Sequence, residues 1–165
     1  MNQSTAEEIA INAAREALKE HEKRIRKDKR VKIFQNTKKL MENYNRICQS
    51  VEEGISDISE VDTEISPEEV TSEEIYINSV LKSKLRSIVM LAHIDKCLKL
   101  LEDEEIQKHT HEKYLAFTYY YLDGLSHESI AEALCCAERT SRRWVTELTS
   151  ILGVYLFGSD AIILD

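Results

Sequence analysis

Turn-forming residues are scarce: the 165-residue chain holds four glycines and one proline. A sheet-rich fold needs many turns, and turns draw on both residues. The shortage therefore points to a few long helices. It also excludes the Gly-rich loops that cradle phosphates, because neither GxGxxG nor GxxxxGK followed by Ser or Thr occurs. Long apolar runs are missing as well. The longest are a few residues, against the ~20 a membrane-spanning helix needs. The opening Met1-Asn2-Gln3-Ser4-Thr5-Ala6-Glu7-Glu8 lacks the charged-then-apolar order of a signal peptide. No two of Cys48, Cys97, Cys135 and Cys136 are spaced as CxxC. Their pattern makes no disulfide framework, so buried thiols in a reducing cytoplasm are expected.

What is present suits one domain, or one small domain with a helical extension. Apolar residues make up 42%, enough for a core. The net charge of −8 hides a gradient: +5 over residues 1–50, −10 over 51–112 and −3 over 113–165. An acidic total disfavours indiscriminate coating of nucleic acid but leaves room for a small reading head with a few placed arginines.

Four segments follow. Residues 1–54 form a basic helical segment. Ile33/Phe34, Thr37, Leu40/Met41, Tyr44, Ile47/Cys48 and Val51 recur at three- and four-residue steps, one apolar stripe on one helix face. Upstream, Lys19 to Lys32 carries eight Lys+Arg in 14 residues with few apolar anchors, so this part is expected to project from the body or fray. Gly54 is the expected stop. Residues 55–70 read as an acidic linker. Residues 71–110 open on the capping box Thr71-Ser72-Glu73-Glu74. A long helix follows, with Ile77, Leu81, Leu85, Ile88, Ala92 and Leu98 at helical spacing. The first segment's stripe is its expected partner, in the same chain or another copy. Residues 111–165 hold short helical units: 112–122, a turn at Asp123-Gly124, 127–134, a turn at 135–137, and 138–152. An apolar tail, Val154-Tyr155-Leu156-Phe157-Gly158 and then Ile162-Ile163-Leu164, comes last.

The last segment carries the chemistry. Ser126 is a helix cap after the Gly124 turn. Ile130, Ala131 and Leu134 share one face, and Ala131 is small enough for a second helix to cross closely. A three-residue connector follows. The next helix is expected to bury Ser141, Trp144, Leu148 and Ile151. That leaves Glu138, Arg139, Arg142, Arg143 and Thr146 outward near its N-terminal end, the end that enters the major groove in a helix-turn-helix. Arginine there binds guanine O6/N7 or neutralises phosphate. The expected core is Tyr114, Phe117, Tyr120, Tyr121, Leu125, Ile130, Leu134, Trp144 and Leu148.

On these residues the chain resembles a family. Tyr121-Leu122-Asp123-Gly124-Leu125-Ser126, Ile130-Ala131, Leu134, Arg139-Thr140 and Arg142-Arg143-Trp144 look like the promoter-reading domain of sigma factors. More closely they resemble the sigma-like regulators of Gram-positive phages and prophages, the ArpU/RinA type. Asn36 to Tyr44, Ser83 to Asp95 and Leu156-Phe157-Gly158 fit the same proteins. The resemblance implies a transcriptional regulator, often of late, lysis or packaging genes. Two residues depart from it. Cys135 stands where such motifs carry glycine, because the turn favours a left-handed backbone, and Ser141 stands where they carry Val or Ile. Both are expected to cost stability.

Other candidates are weaker. Cys135-Cys136 reads as turn filling rather than a redox pair, since nothing nearby lowers a thiol pKa. His109-Thr110-His111 lacks partners at zinc spacing. His93 reads as packed or solvated. No nucleophile–base arrangement emerges, so neither an enzyme nor a cofactor is expected. For Lys19 to Lys32 a solvated, salt-bridged helix is slightly preferred over a phosphate-contacting one, and neutralising the acidic linker in cis is a third reading.

The sequence thus predicts an all-α chain: long N-terminal helices, coiled-coil-like, and a C-terminal helix-turn-helix. Its expected partners are double-stranded DNA, RNA polymerase and a second copy in a homodimer, with no membrane. Arg139, Arg142 and Arg143 are the expected groove contacts, with Ser126 and Thr140 at phosphates. A small terminase subunit and a helical interaction adaptor are the competing readings.

Overall fold

The computed structural model describes residues 3–58 and 72–158, and the side chains of 11–53 and 79–158. Among these residues the protein is all-helical: α1 (Gln3–Glu42), α2 (Tyr44–Ile58), α3 (Ser72–Gln107), α4 (His111–Tyr121), α5 (His127–Ala133) and α6 (Glu138–Phe157). α3 begins where the capping box places it. The cap at Thr71, the tail beyond Gly158 and residues 59–70 of the expected acidic linker lie outside the described residues, whereas residues 55–58, expected to begin that linker, belong to α2.

The first segment divides in two. At Asn43 the helix breaks, and the Asn43 side-chain amide donates to the Lys39 carbonyl at 2.7 Å, satisfying one of the acceptors that the end of α1 leaves free. The apolar stripe expected to be one surface therefore has two partners. α2 packs on α3, with the Tyr44 hydroxyl donating to Asp95 across the pair. α1 instead packs on α6. Gly153 is the reason. A Cβ there would lie 2.9 Å from Thr37 Oγ1 and 3.1 Å from Ile33 Cγ2, so only glycine lets α1 come this close.

Two expected boundaries are corrected. Gly54, expected to stop a helix, lies inside α2, and α6 continues through Gly153 to Phe157 rather than ending at Leu152. An interior glycine costs a helix only about 1 kcal/mol, which packing offsets.

The core draws on residues from 1–54, 71–110 and 111–165. Met41, Ile94, Leu101, Phe117, Ile130, Leu148 and Leu152 are fully buried in one cluster. α6 is its hub, since α1, α3, α4 and α5 all pack on it. The boundary at residue 110 marks a turn, with His109 at φ 56°, and not a separate core. There the buried Glu105 carboxylate accepts from Thr110 Oγ1 at 2.7 Å. Of the expected core, Phe117, Tyr121, Ile130 and Leu148 are buried, and Tyr114, Tyr120, Leu134 and Trp144 are half-buried. Leu125 is exposed. The buried face of α6 steps from Ser141 to Val145, Leu148, Thr149 and Leu152, so Val145 takes the place expected for Trp144. Thr149 satisfies its buried hydroxyl on the Val145 carbonyl, 2.7 Å, and stands 3.1 Å from the Tyr121 hydroxyl.

Candidate nucleic-acid interface

The α5–turn–α6 unit is built from local backbone chemistry. Ser126 is extended (φ −71°, ψ 155°), and its Oγ accepts from the Ser129 amide, 3.1 Å. This is the expected N-cap. Ser126→Ala should cost about 1 kcal/mol, read as a lower urea midpoint with unchanged slope. The turn before it needs Gly124, at φ 67°. The turn after it places Cys135 at φ 51°, the left-handed backbone expected at this position. Non-glycine residues tolerate that region poorly and β-branched ones least. Cys135→Val should therefore lower stability by about 1 kcal/mol or more, while Cys135→Gly leaves it equal or higher, a contrast that thermal melts resolve. Beneath the turn, Ile130 and Ala131 are buried.

The outward edge of α6 carries the charges. Glu138, Arg139, Arg142, Arg143 and Thr146 are exposed and Thr140 is half-buried. Arg142 is engaged by the Glu138 carboxylate one turn before it. Arg139 and Arg143 form no ion pair among the described residues and are the free cations of this edge. Thr146 Oγ1 donates back to the Arg142 carbonyl, 2.8 Å. No side chain caps α6 at Ala137, which leaves the positive end of the helix dipole open beside the two free arginines.

Behind the edge sits a polar contact that the sequence reading missed. Ser141, an expected defect, is fully buried, and its Oγ lies 3.0 Å from His127 Nδ1. The imidazole stacks on Tyr120, with centroids 4.5 Å apart and planes 11° from parallel. His127 thus joins α4, α5 and α6, and the serine that replaces an apolar residue is matched rather than orphaned. Burial, and then Arg142, pull the His127 pKa below its ordinary value, against Glu138. The unfolded chain then takes up a proton on acidification that the folded chain resists, so stability falls as pH drops through the ordinary histidine range. Melting temperature should be lower at pH 5.5 than at pH 7.5, and the difference should shrink in His127→Gln.

Beside the edge, α1 and α6 enclose a groove of 630 Å³ lined by Lys27, Arg30 and Phe34 on one side and Thr146, Ser150 and Ile151 on the other. This neighbourhood of the basic stretch and α6 was not expected. Its one signal in the sequence was Gly153 within a helical pattern.

All four cysteines are unpaired. No described helix is long and apolar enough to cross a membrane. In comparison with known proteins, the chain matches no family model, no curated protein and no solved structure.

Proposed function

We propose that the chain is a sequence-specific DNA-binding regulator of transcription, of the phage or prophage type, acting at promoters with RNA polymerase in the cytoplasm. One observation carries the reading. On a single helix, one face is buried in the core, and the N-terminal part of the opposite face presents Arg139 and Arg143 to solvent without acidic partners among the described residues. That is the disposition a recognition helix needs, because its first two turns enter the major groove and its arginines meet base edges or phosphates. The Ser126 cap and the left-handed Cys135 support it by setting how α5 meets α6.

A homodimer fits the same reading. One such head makes few phosphate contacts, and paired heads on two half-sites add affinity. α1 offers a seam for pairing: Ile11, Leu18 and Ile25 are exposed and stand seven residues apart, the period of a coiled coil.

A gel shift with the full chain tests the proposal. Wild type should retard duplex DNA, and the Arg142→Ala/Arg143→Ala variant should do so weakly or not at all. Equal retardation by both forms, or none by either, would leave an interaction adaptor as the better reading.

A further inference from the structure

We infer that the cationic face of α1, formed by Lys23, Lys27 and Arg30, is a second duplex-contacting element that holds the phosphate backbone flanking the groove entered by α6. The inference rests on the reading of α6 as the major-groove element. It adds a contact surface outside the helix-turn-helix.

Geometry comes first. α1 and α6 touch closely where Thr37 and Ile33 meet Gly153. Beside that contact, residues 27–35 of α1 and 146–154 of α6 line one groove. Thr146, in that groove, is one turn beyond Arg142 and Arg143. The basic stretch of α1 therefore flanks the reading edge. Packed helices lie ~8–10 Å apart, and the major groove is ~12 Å wide between its phosphate walls. A helix splayed beside one that occupies the groove meets a wall.

Chemistry points the same way. Steps of four and three residues put Lys23, Lys27 and Arg30 on one face of α1, the face that continues into Phe34 and the groove. None of the three has an acidic partner among the described residues. Every side chain from residue 11 to 32 is exposed, so none of the described elements covers them. The apolar seam of Ile11, Leu18 and Ile25 lies on the opposite face of the helix. Pairing of two α1 helices would leave the cations free. Residues 11–32 hold nine Lys+Arg against four Asp+Glu in a chain of net charge −8, so positive charge is concentrated on the part of α1 that reaches the groove. Glu20, one turn before Lys23, bounds the patch at its outer end.

The test measures binding of the full chain to a fluorescent duplex of about 40 base pairs between about 50 and 200 mM salt. Wild type is compared with Lys23→Gln/Lys27→Gln/Arg30→Gln and with Arg143→Ala. All the substituted residues are exposed, and circular dichroism checks that helix content is kept. The triple variant should lower the slope of log K against log salt by about 2.7, which is ~0.9 for each of three lost phosphate contacts. If the triple variant keeps the wild-type slope while Arg143→Ala weakens binding, α1 does not touch the duplex and α6 alone does. If wild type binds no duplex even at the lowest salt, the inference and the reading beneath it both fall.

Discussion

Replacing Arg139 and Arg143 together by alanine is expected to weaken specific duplex binding about a hundredfold. A well-placed arginine on a guanine contributes ~1–3 kcal/mol of discrimination, so two losses of about 1.4 kcal/mol each, in the lower half of that range, reach that figure. Arg142→Ala should cost much less. Its guanidinium is already held by Glu138, and an arginine so engaged has less left to give a base or phosphate. Fluorescence anisotropy on a selected duplex measures both effects. The ordering matters as much as the size. An Arg142 variant more damaging than the double variant would mean that the Glu138–Arg142 pair opens on binding and that Arg142 is the reading residue.

The second large effect is on stability. Gly153→Val should destabilise the protein by about 3 kcal/mol, the upper part of the usual range for overpacking a tight contact. At ~2–4 °C per kcal/mol for a chain of this size, the melting temperature falls by roughly 10 °C. The added carbon would press on Thr37 and Ile33, both branched at Cβ and short of alternative rotamers. Shortening the partner offers an internal control. Gly153→Ala should lose stability in the wild-type background, and Thr37→Ala should recover part of the loss by removing the Oγ1 that stands 2.9 Å from the new carbon. Gly153→Val with an unchanged melt would mean that α1 does not approach α6 closely here, and the groove beside that contact would go with it.

How much of this was legible in the sequence depended on whether the cause was local. Ser126 and Cys135 were readable because a cap and a left-handed turn are set by the few residues around them. The apolar positions of α6 were readable in period but shifted in phase. Trp144 drew the expected face toward its bulk, while the buried step runs through Val145. Ser141 looked like a defect because its partner, His127, stands on another helix and has no signature linking the two. The split of the first segment was least legible. Its stripe is continuous across Asn43, and nothing local says that its first half goes to α6 and its second to α3. Only Gly153 hinted at a close crossing, and one glycine does not name the helix it admits. The site followed the same rule. The arginines of α6 were found from their own helix, whereas Lys27 and Arg30 belonged to a stretch read as solvated, and only the groove that α1 shares with Thr146 sets them beside that edge.

Repeated selection of duplexes from a random-sequence library by the full-length chain, followed by sequencing of the bound pool, addresses the central claim most directly. If the exposed N-terminal edge of α6 reads base pairs, the pool converges on a motif, and Arg143→Ala relaxes the preference at particular positions of it while the remainder stays. A pool that remains random after many rounds, or converges on the same motif with the same stringency when Arg139 and Arg143 are both alanine, would contradict it.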